Sequence, residues 1–433
     1  MGAQIFLQFI DFVVDRGCAR RLEAAQYRHW GRNRLNIATM FQTAPITATT
    51  QADLTGQIAQ RLNTALTTHL QQAYAPDRRK TLRLFGATEA ADWIGVSGQF
   101  LRKCHAEGIV TEPEVINNGR RIYSADEMLQ AREALQATAR KANKYVPRRQ
   151  VGEKLQVIQL MNFKGGSAKS TSAIHLCHYL ALRGFRVLAI DLDPQGSLSG
   201  FFGLDTAQEL ESATIYDAIR YEDPRPMSDV VLESYFPNLH LAPARLILSE
   251  FELETATAAG RGVSFFNRLD AAIQTVAPCY DVVILDSPPA LGFLTLTGLY
   301  AASAVLVPMT PSMLDLASTQ QFIDMTSAYI GVIEESGVQL DFDCFSFLIT
   351  RDDPHDVPSQ QIVSLMRALF QDRVLAATCL RSTAIADASM LKMSIYEVAR
   401  ADMVRATYDR VRLSMDAVGK EVEGIILSAW GRT

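Results

Sequence analysis

The sequence predicts an α/β protein with a mostly parallel sheet, preceded by a small helical domain. Three observations support this prediction. Short β-branched runs alternate with helical stretches from Leu155 onward, which is the pattern of a parallel sheet. A strand, a glycine-containing turn and a helix follow one another directly at 155–183. Upstream, a glycine joins two short helical patterns at 88–103, as in a helix-turn-helix.

The 433 residues suffice for two or three domains, which we divide where the pattern changes. Residues 1–50 show no sustained period and are expected to be a poorly ordered extension, with Met40 as an alternative start. The spacing of Ile58, Leu62 and later leucines predicts a helix within 51–79, a candidate dimer contact. The remaining divisions are a winged helix-turn-helix domain at 80–140, a polar linker at 141–153 and an α/β domain at 154–433.

Within the α/β domain, the apolar runs and the helical periods alternate regularly. Strands are predicted near 155–161, 186–191, 281–286, 304–308 and 343–349. Helices are predicted near 169–183, 264–276, 314–334, 357–370 and 402–428.

Composition excludes several classes of protein. The longest apolar run, Ile5 to Val14, contains Asp11 and is too short for a transmembrane helix, so no membrane association is expected. Six scattered cysteines without a CxxC pair argue against a disulfide framework or a zinc site, and favour the cytosol. Residues 1–153 hold 21 basic and 14 acidic residues, against 21 and 33 in the remainder. This asymmetry weakly indicates nucleic acid at the N-terminal end.

A phosphate-binding loop is predicted between the strand that begins at Leu155 and the helix that follows. In this context, backbone N–H groups of the turn and of the helix N-terminus point at phosphate oxygens. Lys169 would reach the β- and γ-phosphates of ATP, and the Ser170 hydroxyl would ligate Mg²⁺. The candidate nucleotide-binding residues are Lys164, Gly165, Gly166, Ser167, Ala168, Lys169, Ser170 and Thr171.

This loop departs from the pattern G-x-x-x-x-G-K-[ST], because Phe163 and Ala168 occupy its two glycine positions. If the second position requires a positive φ, the Cβ of Ala168 costs about 1 kcal/mol and crowds the phosphates. We expect weaker nucleotide binding or slower hydrolysis rather than loss of binding, because Lys169 and Ser170 remain.

Two acidic motifs follow the loop. One predicted strand ends in Asp191-Leu192-Asp193, and a later one ends at Asp286 before Ser287-Pro288-Pro289. At the carboxyl edge of a parallel sheet, Asp286 could hold the hydration shell of Mg²⁺. Each segment alone is an ordinary strand and turn, and their order after the loop is what makes the nucleotide site specific.

The helix-turn-helix pattern has small residues at 90 and 91, a turn glycine at 95 and a second helix from Ser97. That helix would present Gln99, Arg102 and Lys103 to a DNA groove. The turn at 117–121 would form a wing, with Arg120 and Arg121 at phosphates. Ser124 and Glu127 form a predicted capping box. The alternative for this segment is a small helical dimerisation domain with a solvated basic face.

With these motifs, residues 51–433 resemble the ParA-type plasmid-partition ATPases, which are P-loop NTPases with a deviant Walker A motif. They are most similar to the RepA branch from repABC plasmids. Residues 1–40 lie outside the resemblance. Besides the acidic motifs, it is carried by the lysines and glycines of Lys164-Gly165-Gly166-Ser167-Ala168-Lys169-Ser170-Thr171, and by 307–315, 382–388 and 429–432.

The resemblance implies that Lys164 crosses to the nucleotide of a partner subunit, and that Asp193 positions the attacking water with support from Asp191. These three are the candidate catalytic residues. It also implies an ATP-sandwich homodimer that binds DNA without sequence preference. A centromere-binding partner of the ParB or RepB kind would stimulate a weak, Mg²⁺-dependent ATPase and assist repression of the operon. Such a protein acts in the bacterial cytoplasm, on the nucleoid.

Two other functions stay open. A transcriptional repressor could carry a degenerate ATPase domain, as Phe163 and Ala168 would allow. An ATP-dependent amide- or ligase-forming enzyme could share the fold, although it would have no use for a helix-turn-helix. His175 and His178 have a spacing that suits a metal ion, but we interpret them as core or surface residues. Asp281 is interpreted as a turn residue rather than a catalytic one, and Arg381 and Lys392 are secondary candidates for DNA contact.

Overall fold

The computed structural model describes residues 50–73, 80–116, 119–204, 212–335 and 337–432. The extension predicted at 1–50 lies almost wholly outside this range, as do two residues of the predicted wing turn, Asn117 and Asn118. The described residues divide into two compact units. One contains the first helix, α1 (Gln51–Ala73), together with residues 399–409, in which Arg400 and Asp409 form an ion pair. The other contains 80–398 and 410–432.

The second unit begins with a small module, residues 80–138, which we call the N-terminal module. Its helices are α2 (Ala87–Ile94), α3 (Gly98–Ala106) and α4 (Ala125–Thr138). Its antiparallel sheet has the order β1-β3-β2, formed by β1 (Phe85–Gly86), β2 (Val115–Ile116) and β3 (Arg120–Tyr123).

Local signals in the sequence explain how the helices of this module begin and end. Gly95 ends α2 with φ +82°, a conformation that a Cβ would strain. The Ser97 side chain accepts a hydrogen bond from the Phe100 N–H and so caps α3. The predicted capping box of Ser124 and Glu127 is confirmed at the start of α4.

A seven-stranded sheet with the order β10-β9-β4-β8-β5-β7-β6 forms the centre of the α/β domain. All neighbouring strands are parallel except β6, which is antiparallel to β7. The strands are β4 (Gln156–Leu160), β5 (Val187–Asp191), β6 (Leu232–Glu233), β7 (Leu239–Ala242), β8 (Val282–Asp286), β9 (Ala304–Met309) and β10 (Cys344–Ile349). The mostly parallel α/β fold is therefore confirmed.

Helices lie between and after these strands in the described part of the chain. They are α5 (Lys169–Arg183), α6 (Ser197–Phe201), α7 (Ile215–Ile219), α8 (Met227–Val230), α9 (Glu250–Ala259), α10 (Arg268–Val276), α11 (Phe293–Ala301), α12 (Met313–Glu335), α13 (Val357–Phe370), α14 (Thr383–Met390) and α15 (Arg405–Ala429). Every residue of β4, β5, β8 and β9 is buried, because the sheet is covered on both faces. The sequence analysis missed β6, β7 and six of the shorter helices.

Asp281 shows how the fold holds the entry to β8. Its fully buried carboxylate accepts hydrogen bonds from the backbone N–H of Arg149 at 2.9 Å and from that of Arg186 at 2.8 Å. It also forms an ion pair with the Arg186 guanidinium at 2.6 Å. Asp281 therefore joins the start of β8 to the segment before β4 and to the residue before β5. Its role is structural, in line with its interpretation as non-catalytic.

We predict that Asp281→Ala lowers the free energy of unfolding by about 3 kcal/mol, because it leaves buried donors and a guanidinium without their acceptor. The control is Glu133→Ala, which removes a carboxylate from an exposed ion pair with Arg148 and should cost less than about 0.5 kcal/mol. Urea denaturation of both variants measures the difference. Equal losses in the two variants would contradict the role given to Asp281.

Candidate functional site

The phosphate-binding loop connects the carboxyl end of β4 to α5. Ala168 has φ +69° and ψ +31° and occupies the position before the first residue of α5. The left-handed conformation considered in the sequence analysis is therefore present, and the Cβ carries a strain of about 1 kcal/mol. Gly166 also has a positive φ, at +80°. Asn162 braces the loop, since its amide donates to the Pro308 carbonyl and its oxygen accepts the Lys164 N–H.

Phe163, in the other glycine position, does not obstruct the loop. Its ring lies 5.7 Å from that of Phe322 and packs against the hydrophobic cluster beneath β9 and β10. Phe163 therefore anchors the loop to the core. The side of the loop that is expected to contact phosphate is left to the backbone and to small side chains.

Lys169 is buried at the start of α5, with Asp286 and Asp193 as the charged groups that act on it. Burial lowers the pKa of its ammonium, and the two carboxylates oppose that shift. Its Nζ lies 3.3 Å from the Lys164 carbonyl oxygen. Lys169 is thus directed into the site of its own chain, as the phosphate-binding prediction requires.

The three predicted acidic residues meet at the carboxyl edge of the sheet. Asp191 and Asp286 are register partners on the adjacent strands β5 and β8, and both are fully buried. Asp191 accepts hydrogen bonds from the N–H and hydroxyl of Ser199, at 2.8 and 2.7 Å, and from the Asp193 N–H at 3.1 Å. Burial raises the pKa of Asp191 to about 6, with those hydrogen bonds opposing the shift. Asp193 is 8% exposed and accepts the Gln195 N–H.

Asp286 differs from Asp191 because neither of its buried carboxylate oxygens has a well-formed hydrogen bond within the described part of the chain. Burial and the nearby Asp191 raise its pKa well above the ordinary range, while the Ser170 hydroxyl and Lys169 oppose this. An uncompensated carboxylate beside a hydroxyl has the oxygen donors that Mg²⁺ prefers. Ser170 and Asp286 therefore fit the predicted Mg²⁺ site.

The sequence analysis did not find a partner for Lys164 within the chain. Its ammonium forms an ion pair with Asp315 at the start of α12, and the Thr310 hydroxyl donates to the same carboxylate. The Asp315 side chain is only 7% exposed and that of Lys164 is 37% exposed. The two loop lysines therefore differ. Lys169 interacts electrostatically with Asp286 and Asp193, whereas Lys164 is paired with Asp315 of α12. A contact between residues 151 positions apart leaves no local signal in the sequence.

A cavity of about 730 Å³ adjoins the loop and is large enough for a nucleoside. Ala168 and Thr171 border it on the loop side. The turns after β9 and β10 and the start of α14 supply its other walls, which include Arg351, Asp353, Asp356, Arg381 and Ser382. Arg381 thus lines the cavity that adjoins the candidate phosphate-binding loop.

The predicted DNA-contacting residues of α3 lie opposite its buried face, which consists of Leu101, Cys104 and His105. His105 links α3 to β3, because its imidazole bridges the Val110 carbonyl and the Tyr123 hydroxyl. The exposed residues of the predicted set are Gln99, Arg102, Lys103 and Arg120, and Arg121 pairs with Glu112 at 2.9 Å.

The two histidines of α5 are core residues. His175 bonds to the Thr171 carbonyl and the Ile395 N–H, and burial lowers its pKa to about 4. His178 stacks on Phe236 at 3.9 Å. Among the described residues there is no group of three or more His, Cys, Asp or Glu side chains able to hold a metal ion. Nor does any described helix have the length and apolarity needed to cross a membrane.

Several known proteins resemble this chain in sequence or fold. A family model described as an AAA domain matches residues 155–336. A protein named as a replication protein A in Sinorhizobium fredii is 42% identical over 368 residues, which are 83% of this chain and 90% of that protein. The chromosome partitioning protein ParA of Caulobacter vibrioides is 32% identical over 234 residues, 54% of this chain and 84% of that one. A solved structure described as a partition protein has the same fold, with a TM-score of 0.57 at 17% identity, covering 88% of this chain and 100% of the other.

We predict that Mg²⁺ binding, measured with a non-hydrolysable ATP analogue present, releases a proton from Asp286. The raised pKa keeps this carboxyl protonated to a higher pH than usual, so Mg²⁺ must displace the proton and its affinity falls as the pH falls. Calorimetry in two buffers of different ionisation enthalpy measures the release. Asp286→Asn should remove it, and Asp223→Asn, a change at a 99% exposed side chain, should not. Unchanged release in Asp286→Asn would place the proton elsewhere.

Proposed function

The chain belongs to the ParA-type partition ATPases, and from this membership we propose that it is a DNA-binding ATPase of plasmid partition that dimerises on ATP. The observation that carries the proposal is the separation of the two loop lysines. Lys169 serves the nucleotide of its own chain, while Lys164 is partly exposed and acts on no carboxylate of that site. Lys164 pairs with Asp315 instead, and in the proposed dimer it would leave that pair for the nucleotide of a second subunit.

In the proposed reaction, backbone N–H groups of the loop and Lys169 hold the phosphates of ATP. Mg²⁺ held by Ser170 and Asp286 would neutralise the charge that develops on the transferred phosphoryl group. Asp193 orients the attacking water, since Asp191 is already occupied by three hydrogen bonds. The strained Ala168 favours slow turnover. If hydrolysis is absent altogether, the alternative is a repressor with a degenerate ATPase domain.

The N-terminal module is proposed to bind DNA as a winged helix-turn-helix, through α3 and the turn before β3. Binding would be non-specific in partition and directed to an operator in autorepression. A centromere-binding protein of the ParB or RepB kind is the proposed stimulating partner. These roles are supported by the exposed cationic side chains Arg102, Lys103 and Arg120, on a module whose helices and sheet are joined by His105.

We expect Lys164→Ala to bind ATP but to lose ATP-dependent dimerisation and the DNA binding that depends on it. The reason is that Lys169 and Ser170 remain, whereas the cross-subunit charge is gone. Light scattering with and without an ATP analogue measures the oligomer. Lys154→Ala, which removes an exposed lysine whose nearest carboxylate is 3.7 Å away, is the matched control. An undiminished dimer of Lys164→Ala would rule out the cross-subunit role.

Asp193→Ala is expected to slow hydrolysis by roughly 10²–10⁴-fold while nucleotide affinity changes little, because a water-orienting group acts mainly in the transition state. Steady-state hydrolysis and analogue affinity are measured on the same preparation, with DNA and the partner protein added in turn. A wild-type rate in this variant would show that another group orients the water.

The Arg120→Ala/Arg121→Ala variant should bind random DNA more weakly and flatten the plot of log affinity against log salt by about one unit per lost phosphate contact. Gln99→Ala should instead alter the preference for operator over random sequence. Arg140→Ala/Lys141→Ala removes two exposed positive charges from the segment just after the module and serves as the control. An unchanged slope in the arginine variant would move DNA contact to the α/β domain, with Arg381 and Lys392 as the next candidates.

A further inference from the structure

A buried lysine connects the start of the N-terminal module to the α/β domain. The side chains of Lys80 and Glu397 are 5% and 3% exposed, and their charged atoms are 2.5 Å apart. The same ammonium donates to the carbonyl oxygens of Phe201 at 2.6 Å and Lys392 at 2.7 Å, and lies 2.9 Å from the Tyr235 hydroxyl. All four of these residues belong to the α/β domain, and Lys80 is their shared donor.

One of these contacts leads to the nucleotide site. Phe201 is the last residue of α6, whose Ser199 binds Asp191 through both its N–H and its hydroxyl. Asp191 in turn accepts the N–H of Asp193. A single five-residue helix therefore separates the Lys80 ammonium from Asp191 and Asp193 of the candidate site.

We propose that Lys80 is a positioning residue of the ATPase site and couples that site to the N-terminal module. By holding the carboxyl end of α6, Lys80 fixes Ser199 and through it the orientation of Asp191 and Asp193. A displacement of α6 by bound nucleotide changes the same contact and so acts on the module. The coupling is reciprocal, because linkage requires each ligand to alter the affinity of the other by the same factor. This inference rests on the proposed function, with ATP at one end and DNA at the other.

The cluster around Lys80 is built for a charged pair. Burial lowers the pKa of Lys80, and the carboxylate of Glu397 opposes that shift. Glu397 is itself saturated, since it accepts the Ser394 N–H at 2.6 Å and the Tyr235 hydroxyl at 2.8 Å. Removing one charge of the pair leaves the other buried without a partner, which destabilises the fold. Replacing both with uncharged residues of similar volume often changes the stability little. A double replacement can therefore separate coupling from loss of fold.

Arg83 supplies a matched control. It also joins the module to the α/β domain, through a hydrogen bond from Nε to the Tyr396 carbonyl at 3.0 Å, and it pairs with Glu89 at 2.5 Å. None of its contacts within the described residues lies on α6. Arg83→Met thus weakens the same interface without touching the connection to Asp191.

The experiment measures the affinity of the full chain for a non-hydrolysable ATP analogue with and without random-sequence duplex DNA, and the affinity for that DNA with and without the analogue. The ratio of affinities is the coupling factor, expected to be about tenfold in the natural protein. Lys80→Met and Lys80→Met/Glu397→Gln should lower it by about threefold or more, leaving the part that arises from ATP-dependent dimerisation, and should lower the hydrolysis rate. Analogue affinity without DNA should stay within about threefold. Arg83→Met should keep the natural ratio while lowering the thermal midpoint.

The inference is overturned if both Lys80 variants keep the coupling factor of the natural protein. It is also overturned if Arg83→Met lowers that factor as much as they do, because the interface would then be merely structural. A natural protein whose ATP and DNA affinities are independent overturns it too. If the natural protein neither hydrolyses ATP nor binds DNA, the proposed function fails with it. If the natural protein has both activities and the Lys80 variants keep its coupling factor, the proposed function stands and this inference alone falls.

Discussion

The organising constraint of this molecule is the meeting of three carboxyl groups at the carboxyl edge of the parallel sheet. Register places Asp191 opposite Asp286, and Asp193 follows two residues later. Because these carboxyl groups are buried and close together, ionising all of them at once is unfavourable. The surrounding structure offsets that cost with the Lys169 ammonium and the hydrogen bonds from α6 to Asp191. Neither carboxylate oxygen of Asp286 has such a bond among the described residues, and in the proposed function Mg²⁺ would supply its counter-charge.

The departures of the loop are tolerated because its geometry is fixed from outside. Asn162 is bonded to β9, Phe163 is packed on Phe322, and the Ser167 carbonyl accepts the Thr350 hydroxyl. A left-handed alanine costs about 1 kcal/mol and persists only where surrounding contacts determine the backbone. The loop therefore keeps its shape without glycine at position 168.

How much the sequence could predict depended on whether the signal was local. The strands that carry the site were predicted to within about one residue, because each is an apolar run, and the parallel fold then brings their ends together. The short helices α6, α7 and α8 span less than two turns and show no helical period. The ion pairs of Asp315 and Glu397 could not be predicted for another reason. Each carboxylate pairs with a lysine more than 150 residues away, and no local pattern marks such a pair.

The segment predicted as a linker, residues 141–153, makes long-range hydrogen bonds. Arg149 donates to Asp281 and to the Ala277 carbonyl, and the Arg132 guanidinium binds the Tyr145 carbonyl. The N-terminal module is thus fastened at its entry by Lys80 and beyond its exit by Arg149, so it cannot reorient without breaking buried contacts. Residues 154–433 carry an excess of acidic side chains that repels phosphate. In the proposed function, DNA would therefore contact the module on the side of its exposed cations Arg102, Lys103 and Arg120.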